Sequence, residues 1–417
     1  MCSPFRPETW PFKLELLPQN ACLVGGSVRD RLIQRQSNYL DLDFVLPNNA
    51  IETASSLAKR YGAGFVVLDA DRKIARVVFE QVTVDFAQQQ GESLEADLRR
   101  RDFTINAIAY HPFSETFIDP LGGKADIATK TVRMISPENL AADPLRLMRG
   151  YRQAAQLNFT IEEKTRAAIH KLAPQLQKAS IERVRSELDA LLSTQAGTTQ
   201  LPAILAHRLL HYCLPHFTAQ SIEQIAEIDN ALSQLQTTQP RYVERLKQWL
   251  KPVPAGFHRS WIKAAKVSRL LPAKIKTAQT ELTTLSYSRA EIQVMLCLLQ
   301  VQPALNKMQH RELSRAEQFF LFKLAGEKFP AVSLLALSQG IDASRIKRLI
   351  NRFLDPTDAI AHATGLITGI DIMKQLDIKP GPELGKLLKA VEQAQAEGQI
   401  STRDEALRWL RHTLGRE

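Results

Sequence analysis

The sequence predicts an α+β protein, with a small mixed sheet towards the N-terminus and helices beyond it. Short apolar or β-branched runs bounded by turn residues occur at Ala21–Val24, Leu40–Leu46, Gly64–Leu68, Ile74–Phe79 and Val82–Phe86. After Pro144 almost every long segment has helical spacing instead, as in Ile161–Leu172, Ile181–Leu192, Ser221–Leu235 and Arg311–Leu324. The chain has 417 residues, too many for one compact core. Pro/Gly breaks near 195–202, 252–256 and 329–331 are the candidate boundaries.

Composition narrows the partners. An apolar content of 44% is ordinary for a globular chain, but a net charge of +10 and a pI near 9.4 favour a polyanionic partner, nucleic acid before anionic membrane. No run approaches the ~18 apolar residues of a spanning helix, and MCSPFRPETW has no signal-peptide core. Cys2, Cys22, Cys213 and Cys297 lack CxxC spacing, which argues against a disulfide framework or zinc site and fits a reducing cytoplasm.

In chain order, residues 1–20 read as a lead-in with a short helix around Phe12–Leu17. Gly25 and Gly26 end the first apolar run, and a helix starts near Val28-Arg29-Asp30. Leu40–Leu46 carries Asp41 and Asp43, and a spacing of two in a strand turns both carboxylates to one side. Beside glycines whose bare backbone can approach a phosphate, that pair suits Mg²⁺ and a nucleoside triphosphate. Ile51–Tyr61 has helical spacing after the turn Pro47-Asn48-Asn49. Asp85, in Val82–Phe86, is either a third carboxylate beside Asp41 and Asp43 or an outward-facing polar residue of an alternating strand. Next comes Asp97-Leu98-Arg99-Arg100-Arg101-Asp102 running straight into the apolar Phe103–Tyr110. Guanidinium groups fit triphosphate oxygens in a planar fork, and an Asp or Asn can accept from a ribose hydroxyl. Lys251–Lys276 holds seven Lys/Arg and no acid, with Phe257 and Trp261 interleaved, which reads as an RNA-backbone contact or a merely solvated basic face.

Four motifs in one order make the chain recognisable: LVGGSVRD…DLDF, DLRRRDFTINAIAY, Ile118-Asp119-Pro120-Leu121-Gly122-Gly123 and Asp143-Pro144-Leu145-Arg146-Leu147-Met148-Arg149-Gly150-Tyr151-Arg152. This order resembles the class II tRNA nucleotidyltransferase/poly(A) polymerase family. The resemblance covers roughly residues 20–195, with a weaker echo from Gly369 to Gly385. It implies a polymerase-β-like nucleotidyltransferase head (1–135), a helical neck that recognises the base (136–200), a basic helical body (201–330) and a helical tail (331–417), the last two binding RNA. It also implies the activity: Mg²⁺-dependent, template-independent transfer of nucleotides from CTP, and possibly ATP, to the 3′ end of tRNA.

The resemblance carries roles onto matching residues. Asp41 and Asp43 are the metal ligands, with Asp85 the candidate third carboxylate. Gly25, Gly26 and Arg29 meet the triphosphate, Arg101 binds phosphate or sugar, and Asp102 reads the ribose 2′-hydroxyl. Asp143 and Arg146 are three apart at a helix start and could face one ligand, the carboxylate accepting from the exocyclic amine of cytosine or adenine. Asp143 also reads as a helix cap ahead of Pro144. Arg149 and Arg152 match further nucleotide contacts. The sequence departs from the family twice. Ala142 stands where a Glu is usual, and only eleven residues, Phe86–Ala96, separate Asp85 from Asp97. That stretch is too short for the flexible element full CCA-adding relatives carry, which points to addition of C alone. A-adding, CCA-adding and poly(A)-adding enzymes are the alternatives within the family; a non-catalytic RNA-binding relative and a metal phosphohydrolase are those outside it.

Overall fold

The computed structural model describes residues 4–35, 40–249, 259–376 and 379–414. Two compact units divide the chain, Met1–Leu209 and Leu210–Glu417. The first holds β1 (Cys22–Val24), β2 (Leu40–Leu46), β3 (Gly64–Asp69), β4 (Ile74–Val78), β5 (Val82–Gln88), β6 (Ala109–His111) and β7 (Thr116–Ile118). They form a seven-stranded sheet in the order β3-β4-β5-β2-β1-β6-β7. The β2–β5 pair is parallel and the other pairs are antiparallel, so the sheet is mixed, as the sequence predicts.

Over Phe12–Leu17, where a short helix was expected, the lead-in forms the 3-10 turn Leu14–Leu16, and a second such turn lies at Pro7–Thr9. Its apolar residues are used for packing. Trp10 and Phe12 are buried against Phe44, which stacks on Phe86 with centroids 5.5 Å apart. The aromatic pair therefore joins β2 and β5 on the face opposite their carboxylates. Helix α1 (Gly26–Leu32) follows β1, and α2 (Ala50–Tyr61) buries Ala54, Leu57 and Ala58 in the same core.

The Arg-Arg-Asp segment follows α3 (Leu94–Arg99); α4 (Gly123–Ala128) and α5 (Pro137–Ala142) come next. Helix α6 (Leu145–Leu157) packs on α8 (Ile181–Leu192), with α7 (Glu163–Leu172) between them in sequence. At Gly150 of α6 a Cβ would sit 3.1 Å from the Phe103 ring and 3.3 Å from Ile169. The bare backbone lets α6 lie close against the segment carrying Asp102.

In the second unit every named element is a helix. The helix Phe329–Ser338 is apolar and buried on nearly all sides, and Pro330, expected near a boundary, lies in its first turn, where a missing N–H costs nothing. The break expected at 252–256 lies outside the described residues, as do Lys251 and Phe257.

The basic stretch behaves differently from its sequence reading. Lys263 and Lys266 are each 1% exposed, and Trp261 is buried beside them. Lys263 pairs with Glu291 at 3.0 Å and Lys266 with Asp229 at 2.7 Å. Helical periodicity turns these two amines inward to acids on neighbouring helices, so they are core ion pairs and present no charge to RNA.

Candidate nucleotidyl-transfer site

The turn from β1 into α1 begins the site. Gly25 has φ +77°, a conformation that favours glycine, and a Cβ there would stand 3.5 Å from both Asp43 Oδ2 and Arg101 Nη1. Asp43 lies opposite Asp85 in the parallel β2–β5 register, and Asp85 lies opposite Arg76 of β4. The three side chains make one row across three strands. Arg76 donates to both oxygens of Asp85, at 2.7 and 2.8 Å. Asp85 is thus at the site, but as one half of a forked ion pair.

Burial, with Asp85 and Asp41 nearby, pushes the Asp43 carboxyl up to about 6, against the opposing pull of Arg101 and Arg76. Asp41, on the same face of β2, is exposed and accepts from the Thr83 hydroxyl. Among the described residues no group of three or more ligand-type side chains is assembled for a metal. The fitting donor set is Asp43 with Asp41: hard oxygen donors, one of them partly buried and short of positive charge.

A cavity of roughly 530 Å³ opens beside this row. Gly25, Gly26, Arg29, Asp43, Asp85, Arg101, Asp102, Arg146, Arg149 and Arg152 all line it, together with Asn106 and Gln153. Of the residues given a metal or nucleotide role from the sequence, Asp41 and Asp143 alone do not line it.

A buried network holds its floor. Arg29 donates to Asn106 Oδ1 at 2.6 Å and is also paired with Asp30 at 2.6 Å. Asn106 Nδ2 donates to Asp102 Oδ1 at 2.8 Å and to Gln153 Oε1 at 3.0 Å. Asp102 Oδ1 also accepts from the Phe103 N–H at 2.8 Å, and its Oδ2 lies 3.3 Å from Arg149. Burial alone would raise the Asp102 carboxyl. Arg149, Asn106 and the Phe103 N–H outweigh it and hold the group below the usual carboxylate range. Oδ2 is buried with no hydrogen-bond donor of proper geometry among the described residues, so it keeps a lone pair for a ligand hydroxyl.

The other arginines are anchored from behind. Arg101 pairs with Asp97 at 3.2 Å, and Arg152 with Glu187 and with Gln156 at 2.6 Å. Arg146 donates to the Arg100 and Asn139 carbonyls at 3.0 and 2.8 Å.

Asp143 departs from its expected place. It ends α5, accepts from the Leu145 N–H at 3.3 Å and pairs with Arg183 at 2.9 Å. The expected cap is shifted: Pro144, not Asp143, takes the N-cap position of α6, and that position has no side-chain cap bond. A joint face of Asp143 and Arg146 towards the cavity is not formed here either, because an arginine of α8 competes for the carboxylate.

Sequence reasoning missed Arg76, Asn106 and Gln153. A lone cation in the apolar run Ile74–Val78 was a usable signal for Arg76. Asn106 and Gln153 gave none, since their partners come from other elements.

Residues 21–133 match the family described as Poly A polymerase head domain, 158–221 that described as Probable RNA and SrmB- binding site of polymerase A, and 262–410 that described as tRNA nucleotidyltransferase domain 2 putative. The chain is 44% identical to a CC-adding tRNA nucleotidyltransferase of Synechocystis sp., over 95% of this chain and 94% of that one. The chain belongs to the tRNA nucleotidyltransferase/poly(A) polymerase family. Its class is therefore that of an RNA nucleotidyltransferase. It is also 33% identical to a CC-adding tRNA nucleotidyltransferase of Geobacter sulfurreducens (94% and 91% covered) and 32% identical to an A-adding one of Deinococcus radiodurans (98% and 99% covered). Among solved structures, a CCA-adding enzyme in complex with CTP shares the fold with a TM-score of 0.69 at 20% identity, covering 94% of this chain and 91% of that one. In the family's terms, the cavity lies in the nucleotidyltransferase head and the helices that follow it.

Proposed function

We propose that this nucleotidyltransferase adds two C residues from CTP to the 3′ end of tRNA and does not add the terminal A. The observation that carries this reading is the short connection behind the cavity. Only residues 89–93 separate β5 from α3. Asp97 Oδ1 accepts from the Gln90 N–H at 2.9 Å, which ties the connection down next to the base of Arg101. Little chain remains there to act as a lever on the base-reading residues. The 44% identity to a CC-adding relative supports the same choice.

In this reading the triphosphate enters against the main chain of Gly25 and Gly26, with Arg29 and Arg101 as its cations. Asp41 and Asp43 hold Mg²⁺, which when bound supplies Lewis acidity at the phosphate and the attacking hydroxyl. Asp102 offers Oδ2 to the ribose 2′-hydroxyl, and its pairing with Arg149 keeps it ionised for that task. Arg146, whose two carbonyl bonds both use Nη1, donates to the ring acceptors of cytosine from the rest of its guanidinium, while Asp143 leaves Arg183 to accept from the exocyclic amine. Adenine has a second ring and needs that pair to retreat; without a lever, forcing it in leaves buried charge unpaired. The helical second unit holds the tRNA.

The test uses tRNAs lacking all of their CCA end, lacking CA and lacking only A, each with labelled CTP or ATP alone. CMP should enter the first two and stop at the second C, and AMP should enter none. AMP transfer to tRNA ending in CC, at a rate comparable to CMP transfer, would overturn the reading.

A further inference from the structure

We propose that Asn139 is a positioning residue for the incoming nucleotide, clipping the main chain that carries Arg101 and Asp102 to the helix that carries Arg146 and Arg149. The inference rests on the reading of Arg101 and Asp102 as nucleotide contacts.

Helix α3 ends at Arg99: the Asp97 and Leu98 carbonyls accept from the Arg100 and Arg101 N–H groups, and the next three carbonyls, Arg99 to Arg101, have no such helical partner. Two side chains from further along the chain take them. Asn139 Nδ2 donates to the Arg99 carbonyl at 2.7 Å and to the Arg101 carbonyl at 2.8 Å. Arg146 Nη1 donates to the Arg100 carbonyl between them at 3.0 Å, and to the Asn139 carbonyl at 2.8 Å. Three successive carbonyls are thereby held, and the two residues that hold them are bonded to each other.

Asn139 is itself fixed. It sits at the third position of α5, where its N–H donates to the Ser136 hydroxyl cap at 3.2 Å. Just beyond the clip, the Ile135 N–H donates to the Asp102 carbonyl at 3.1 Å and the Thr104 N–H to the Arg133 carbonyl at 3.0 Å. The backbone of the Arg-Arg-Asp segment is thus pinned on both sides of Asp102. An asparagine amide suits this position because one short side chain presents two diverging N–H groups. A loss of the clip frees the turn bearing Arg101 while leaving the strands and α6 intact.

The test compares Asn139→Asp, which keeps the shape but sets acceptors against carbonyl oxygens, with Asn139→Ala and Asp102→Ala. For each, the KM for CTP and the ratio of kcat/KM for CTP over dCTP are measured on tRNA lacking its CCA end, beside a thermal melt. Asn139→Asp should raise the KM for CTP at least ~5-fold and lower the CTP/dCTP ratio by a similar factor, while the KM for tRNA stays within about twofold. Asn139→Ala should move both in the same direction by less. A merely structural role lowers the active fraction for both nucleotides alike and leaves the ratio and the KM where they were. If the folded Asn139 variants keep the parental KM for CTP and the parental ratio, the proposal is overturned, whatever their kcat; should Asn139→Asp not fold, Asn139→Ala decides. If Asp102→Ala leaves the ratio unchanged, the ribose reading of Asp102 fails by itself, and the KM for CTP alone decides for Asn139.

Discussion

Asp43 serves two opposed requirements. In the proposed metal role it must be ionised to hold a cation, yet burial beside Asp85 and Asp41 raises it to about 6. In metal-free protein its folded pKa therefore lies above its unfolded value. Between about pH 4 and 6 the folded state holds more proton than the unfolded one, so stability falls as pH rises through that window. Asp43→Asn should melt higher than the parent at pH 7 in EDTA, by on the order of 2 kcal/mol, and match it near pH 4; an equal or lower melting temperature at pH 7 contradicts this. The same substitution, or Asp41→Ala, should reduce nucleotide transfer by orders of magnitude while tRNA affinity stays within a few-fold. Retention of a tenth of parental rate in saturating Mg²⁺ would remove these residues from the metal role. Asp102→Ala should lower the CTP/dCTP preference by about tenfold, the worth of one hydrogen bond, with base preference unmoved. The acidic pair and Gly25 could be read from sequence because strand period and backbone freedom are local. Arg76, and the diversion of Asp143 to Arg183, could not: each depends on a partner brought alongside by the fold.

Elements show the same division between local and non-local causes. Strand β2 and helix α8 follow period and turn residues, and their bounds, Leu40–Leu46 and Ile181–Leu192, were legible. The stretch around Lys263 was misjudged because its helix faces acids more than twenty residues away on either side. Lys266→Met should destabilise the protein by ~3–5 kcal/mol, since it strips the cation from a buried carboxylate. Lys266→Met with Asp229→Leu should recover most of that loss, as an apolar pair of similar volume replaces the ion pair. Denaturant midpoints of the two variants check this. A single variant as stable as the parent would contradict the burial argument. The connection between β5 and α3 works in the opposite sense: what matters there is brevity. Grafting a longer, flexible segment between Gln88 and Leu94 should be the change that admits AMP transfer, read as extension of tRNA ending in CC with ATP.

At the scale of the molecule, one unit carries the whole cavity and the other is built of helices around apolar and ion-paired cores. The basic excess of the chain, +10 overall, is thus not a simple map of its RNA contacts, because some of that charge is spent internally. The central claim is that a pinned, lever-free site in the first unit selects C and then stops. It is tested most directly by incubating the full-length protein, Mg²⁺, CTP and ATP together with tRNA lacking its CCA end, and measuring the intact mass of the product. The account predicts a single end product heavier by two CMP residues. A product carrying two CMP residues and one AMP would contradict it.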